Sequence, residues 1–180
     1  MDRSDAEHLV RRTGFGVNWA LVDQLTGLSR TAAVDELLDF SHNPAGAVPA
    51  SVTSDSGVAW EQVRDLTKWW LERMRTVPRP LQELLALFWH GHFATNALRV
   101  EYPHQLADQL QLFRTQGAGS FRDLVQKVSI GPAMLLYLDN YKNEASSPNE
   151  NFARELLELH TLSPGNYTER DIIEAVSYTH

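Results

Sequence analysis

Cysteine is absent from this chain of 180 residues. Its absence excludes a disulfide framework, a thiolate zinc finger, an iron–sulfur cluster and a cysteine nucleophile. Any metal site must draw on His, Asp, Glu, Asn or backbone oxygen. Long apolar runs are missing too. The best, Leu84 to Trp89, is far short of a bilayer-crossing helix, so no membrane span is expected. The opening Met1-Asp2-Arg3-Ser4-Asp5-Ala6-Glu7 is charged and contains no secretory apolar segment, which points to a cytoplasmic protein. An excess of basic residues is the third absence. The 16 Lys and Arg against 23 Asp and Glu leave a net charge of −7. Phosphate neutralisation needs clustered Lys and Arg, so no nucleic-acid partner is expected. The acidity forms no tail: residues 1–90 hold nine basic and twelve acidic side chains, and residues 91–180 hold seven and eleven.

What is present is helical punctuation. Ser4 and Glu7 have capping-box spacing, and Glu7 and Arg11 stand four apart as a helical ion pair. Gly14-Phe15-Gly16 should end that helix through a left-handed cap. Asn18 and Ser29 can cap the next two, with Leu21, Val22 and Leu25 on one apolar stripe and Val34, Leu37 and Leu38 on the other. A longer helix is expected from Val58 to Thr76, burying Trp60, Val63, Thr67, Trp70, Met74 and Val77 and leaving Trp69 off that face. Others follow over Leu81 to Phe93, Pro103 to Gln116, from Ser120, and from Met134 to Leu138. Ser147-Pro148-Asn149-Glu150 reads as a cap, a first-turn proline and a capping partner for a helix reaching Thr161 or Leu162. Thr168 and Asp171 start the last helix. No segment alternates as a strand would, and no repeat is visible. The class is all-α, a multi-helix orthogonal or bundle-like domain. Its organisation divides into an N-terminal helical hairpin over 1–40, a flexible linker over 41–57 rich in Pro, Gly, Ala and Ser, and a main body over 58–180.

Chemistry enters where polar groups fall on apolar faces. On a regular wheel, helix 148–161 presents Phe152, Ala153, Leu156, Leu157 and Leu159. Asn149 and His160 fall inside that stripe, Glu150 and Arg154 pair at its edge, Glu155 takes the other flank and Glu158 faces away. Burying Asn149 or His160 calls for a hydrogen-bond partner. On helix 81–93 the core face is Leu81, Leu84, Leu85, Phe88 and Trp89. His92 joins it, while His90 lies opposite, beside Glu83, unless Gly91 opens the helix. Each group has two readings. His92 and His160 are either core histidines bonded to backbone or catalytic and metal-ligating groups, with a divalent metal as the cofactor to consider. Glu150 and Arg154 are either a cap with a surface pair or site residues. Asp139, Asn140, Asn143 and Glu144 lack calcium-loop spacing and read as a solvated loop.

Several segments also match a known family in order and spacing. His8-Leu9-Val10-Arg11-Arg12-Thr13-Gly14-Phe15-Gly16 resembles the opening of the bacterial "domain of unknown function 1800" family, and Trp89-His90-Gly91-His92-Phe93-Ala94-Thr95 resembles its W-H-x-H-F signature. Pro148-Asn149-Glu150-Asn151-Phe152-Ala153-Arg154-Glu155-Leu156-Leu157-Glu158-Leu159-His160-Thr161-Leu162 is similar to its longest motif, followed by Gly165-Asn166-Tyr167-Thr168. The resemblance implies an all-helical domain with no established activity, commonly encoded beside a protein that resembles phosphatases and sulfatases. It also implies a longer domain, of which this chain is the N-terminal portion. Where the family continues into A-x-x-L-T-G-W, the chain reads Ala175-Val176-Ser177-Tyr178-Thr179-His180. On that basis a fragment with exposed apolar faces, prone to self-association, is expected.

Two functional expectations follow. In the first, His92, Glu150, Arg154 and His160 are catalytic and Asn149 and His90 bind ligand, with a hydrolase as the first class to test. In the second, the same residues fix helix register in an interaction or scaffold module whose partner is the phosphatase-like neighbour.

Overall fold

The structure, a computed structural model, describes residues 1–44, 46–53, 60–144 and 149–178, with side chains through Val176. Among these residues there are eleven α-helices and no strand. The all-α class follows directly.

Three short helices open the chain: α1 (Arg3–Arg12), α2 (Trp19–Leu25) and α3 (Arg30–Leu38). They share a core of Ala6, Val10, Leu21, Val22, Leu25, Ala33 and Leu37. Asn18 and Ser29 cap α2 and α3 as expected, accepting from the amides of Leu21 and Ala32. Three local expectations are corrected. Asp2, not Ser4, caps α1, because its carboxylate reaches the Asp5 amide at 2.8 Å and the helix begins one residue earlier than Ser4. Gly14 and Gly16 are not left-handed; α1 ends at Thr13. At Gly14 a Cβ would stand 3.0 Å from the Pro80 ring, so glycine there permits close packing. Val34 and Leu38 are exposed, and Ala33 and Leu37 carry the buried face of α3.

The body contains α4 (Trp60–Thr76), α5 (Leu81–His92), α6 (Ala97–Val100), α7 (Pro103–Gln116), α8 (Phe121–Ser129), α9 (Pro132–Tyr137), α10 (Glu150–Glu155) and α11 (Glu169–Tyr178). Phe93, Leu110, Phe113, Leu124, Val128, Met134 and Phe152 form its core. A smaller cluster of Ala153, Ile172 and Val176 joins α10 to α11. Thr168 and Asp171 cap α11 reciprocally, with each side chain reaching the other residue's amide. α6 was not legible as a separate element; Asn96 caps it through the amides of Leu98 and Arg99.

The inward face of α4 is rotated from the expected one. Trp60 and Thr67 are exposed, while Leu66 and Arg73 are buried. Arg73 turns inward because Glu83 of α5 waits for it. Glu83 is fully buried and accepts from Arg73 Nε at 3.1 Å, Arg114 Nε at 2.9 Å and Trp70 Nε1 at 3.1 Å. Trp69 lies against both guanidinium groups, 5.6 Å from Arg73 and 5.5 Å from Arg114. A wheel that counts Arg and Glu as outward groups cannot find this cluster. Desolvation pushes Arg114 below its ordinary pKa, opposed by Glu83.

The described part of segment 41–57 contacts the body. Asn43 exchanges bonds with the Arg79 backbone at 2.8 and 2.9 Å, Arg73 donates to the Pro44 carbonyl, and Gln111 donates to that of Gly46. Val48 and Val52 pack on the main core. Arg79 also pairs with Glu36, tying α3 to the start of α5.

The long motif departs most from its wheel. α10 stops at Glu155 and a π-helical turn, Leu156–Thr161, continues the chain. The Leu162 amide bonds the Leu157 carbonyl at 2.7 Å, five residues back. A π turn advances side chains less per residue than an α turn, so the 100° wheel fails beyond Glu155. Leu159, expected inside, is 60% exposed, while His160 remains buried. On α5, Phe88 is likewise 60% exposed rather than core.

Candidate functional site

α5 stays helical through His92, so Gly91 does not bring the two histidines of the signature together. They serve different sides. His92 turns toward α10 and the π turn, where its ring centroid lies 5.7 Å from that of His160, edge to face. His90 turns toward α4 and meets Trp70 edge-on at 5.4 Å. It is half-buried, contrary to the expectation that it faces away, because α4 and α7 cover α5 on that side. Burial pushes its imidazole below the ordinary value.

His92 and His160 line a cavity of about 550 Å³. Gly91 and His92 enter from the end of α5, Asn96 and Arg99 from the loop and α6, Tyr137 and Leu138 from α9, and Glu155, Leu159 and His160 from α10 and the π turn. Sequence reasoning missed Asn96, Arg99 and Tyr137, and placed Glu155 only as a flank. Asn96 carried a usable signal, since it stands just after the W-H-x-H-F segment where a helix cap belongs. Nothing local marks Tyr137 or Arg99.

The polar groups of this cavity differ in how they are satisfied. His92 Nε2 lies 3.0 Å from the His160 carbonyl oxygen and donates to it. Arg99 donates to Asp139 at 2.6 Å, and Lys142 donates to the same carboxylate at 2.8 Å. Lys142, then Arg99, hold the Asp139 carboxyl below its ordinary range. The Asp139–Lys142 loop is thus an ion-pair node. Glu155 makes no side-chain hydrogen bond or ion pair among the described residues. His160 Nδ1 is buried without a partner among the described residues. Burial, then the His92 ring, pushes the His160 imidazole below its ordinary value, so it is neutral at pH 7.

The remaining candidates do not line this cavity. Asn149 caps α10 through the Asn151 amide at 3.0 Å and donates to the Asp139 carbonyl at 3.0 Å, finding the partners a buried amide needs. The cap expected of Ser147 and Pro148 lies outside the described residues. Glu150 and Arg154 do pair, at 3.5 Å, yet Glu150 is exposed and Arg154 only half-buried. Arg154 makes the better pair with Glu169, two parallel bonds of 3.1 Å that dock α11. Glu158 accepts from Tyr167 Oη at 2.5 Å.

Among the described residues, no three His, Asp or Glu side chains converge closely enough to hold a metal ion. No described helix is long and apolar enough to cross a membrane. No curated protein and no solved structure is significantly similar to the chain. Both motif segments that build the His92–His160 contact lie within residues 8–177, the span that matches the family described as "Protein of unknown function (DUF1800)", and the chain belongs to that family.

Proposed function

We propose that the cavity between α5 and the π turn is a binding and acid–base site for a small polar molecule, working in the manner of a hydrolase. The observation that carries this reading is that His160, whose buried Nδ1 has no partner among the described residues, and Glu155, whose carboxylate is unpaired among them, line the same cavity. A neutral imidazole with a free ring nitrogen can take a proton from a water or hydroxyl nucleophile and return it to a leaving group. Glu155 can orient that nucleophile. Arg99 uses one guanidinium nitrogen on Asp139 and offers its remaining N–H groups to an anionic group. His92 positions His160 by bonding its carbonyl.

The test is turnover of p-nitrophenyl acetate, phosphate and sulfate by the purified protein, His160→Gln and Glu155→Gln. The expected result is a rate for at least one ester that falls about 100-fold or more in His160→Gln with unfolding behaviour preserved. Absence of turnover of all three, or an undiminished rate in His160→Gln, overturns the reading.

One observation favours a second reading, an interaction module partnering the phosphatase-like neighbour. Phe88 and Leu159 stand exposed at the two histidines, Phe88 stacked parallel to His92 at 6.3 Å. Co-purification with that neighbour, lost in Phe88→Ser, is its expected outcome; independent migration of the two proteins refutes it.

A further inference from the structure

A second cavity, of about 250 Å³, lies on the other side of the H-x-H segment. Val63, Leu66 and Trp70 of α4, His90 of α5 and Gln109 and Leu110 of α7 form most of its wall. Among the described residues, no Asp, Glu, Lys or Arg lines it, whereas Arg99 and Glu155 line the first cavity. The two histidines therefore face environments of different chemistry, one charged and one not.

Its wall is polar at Thr67, His90, Thr95 and the amides of Asn96 and Gln109, and Asn96 Oδ1 is already taken by the Leu98 and Arg99 amides of α6. Gln109 is 8% exposed, and its Oε1 accepts the Thr95 hydroxyl at 2.6 Å. Its Nε2 is buried with no partner among the described residues. An N–H out of water and unpaired is costly unless a ligand or water accepts from it. Gln109 also borders a smaller cavity of about 160 Å³ beside Gln105, whose Oε1 is likewise unpartnered, so a bridging water is the competing occupant.

We propose that the second cavity binds a small uncharged molecule, a single aromatic or alicyclic ring bearing one hydroxyl or carbonyl oxygen that accepts from Gln109 Nε2. Size supports this class. An apolar cavity of about 150 Å³ holds benzene, and the larger volume here admits a ring with one short substituent. Charge supports it as well, since an ionised ligand would lose its hydration with no counter-charge in the wall. Trp70 and the His90 ring offer the edge and face contacts that a flat ring prefers.

The experiment titrates the full chain with benzyl alcohol, toluene and benzoate, following the side-chain amide resonance of Gln109 in the native chain and the Trp70 indole N–H resonance in every variant. Benzyl alcohol is expected to shift that resonance and to bind about five-fold more tightly than toluene, with benzoate not binding. Val63→Phe fills the cavity and should abolish binding. Gln109→Leu keeps the volume and should remove the preference for benzyl alcohol over toluene, which decides the matter even if Val63→Phe does not fold. A Gln109 amide unmoved at saturating benzyl alcohol, equal binding of benzoate, or a preference that survives Gln109→Leu overturns the proposal.

Discussion

The His92 Nε2 atom lies 3.0 Å from the carbonyl oxygen of His160, across 68 residues of sequence. A carbonyl can only accept, so Nε2 carries the proton, and in the neutral ring Nδ1 is bare. The carbonyl belongs to the end of a helical segment, where such groups lack intrahelical partners. One imidazole thereby finishes the π turn and fixes the other histidine above the cavity.

If His160 is retained for chemistry rather than stability, removing it should not harm the fold. His160→Leu eliminates a buried nitrogen with no partner, and its stability in urea should match or exceed that of the native chain by up to about 1 kcal/mol. His92→Ala should instead cost about 1 kcal/mol, since the His160 carbonyl loses its donor. A His160→Leu variant destabilised by several kcal/mol would show that the residue serves packing.

Glu83 should be the most sensitive polar position in the chain. Glu83→Gln keeps the shape but strands the buried guanidinium groups of Arg73 and Arg114 without their counter-charge. Removing one member of a buried ionic cluster costs about 3–5 kcal/mol. Chemical denaturation would read this as a midpoint shift with an unchanged slope; a loss below 1 kcal/mol would contradict it.

Acidification should destabilise the protein in two stages. His90 and His160 have folded pKa values below the ordinary 6.5, so the unfolded chain binds more protons between those values and 6.5. Stability therefore falls as pH drops through that window. The carboxyl groups of Asp39, Asp139, Glu169 and Asp171 are also lowered, and their contribution is lost only at more acidic pH, below the ordinary carboxylate range. Urea titrations at pH 7, 6 and 5 should show the first stage in the native chain and a flatter profile in His90→Gln/His160→Gln. Equal pH dependence in both would refute the assignment.

Gly117 positions the signature tryptophan. Trp89 Nε1 donates to the Gly117 carbonyl at 2.7 Å, and a Cβ on Gly117 would stand 2.7 Å from the Trp89 ring and closer still to the Phe113 carbonyl. Gly117→Ala should cost about 1–3 kcal/mol through this overpacking. It should also shift Trp89 fluorescence, because the ring must move. Unaltered emission with native stability would count against the close approach.

Local rules carried the sequence reading where local forces decide. Asn18, Ser29, Ser120 and Thr168 were legible as caps because a cap is satisfied within three residues of itself. The helix from Leu81 was legible from Pro80 and the apolar spacing that follows. Burial was less legible. Arg73, Glu83 and Arg114 are inside because they neutralise and hydrogen-bond one another from three different helices, which no single wheel records. His92 and His160 were singled out together. Asn149 is half-buried and clips a loop to a helix start, and the half-buried Arg154 pairs with the exposed Glu150 and Glu169.

The sequence by itself determined an all-α chain, most helix ends and the family, because composition, caps and long motifs act through near neighbours. Only the tertiary structure decided which polar groups share a cavity. The π turn sets the phase of His160 five residues at a time, and the packing of α5 against α4, α7 and that π turn sends His90 and His92 into separate cavities. Both depend on which surfaces meet across tens of residues, where the free energy of burial outweighs the local preference of any one helix.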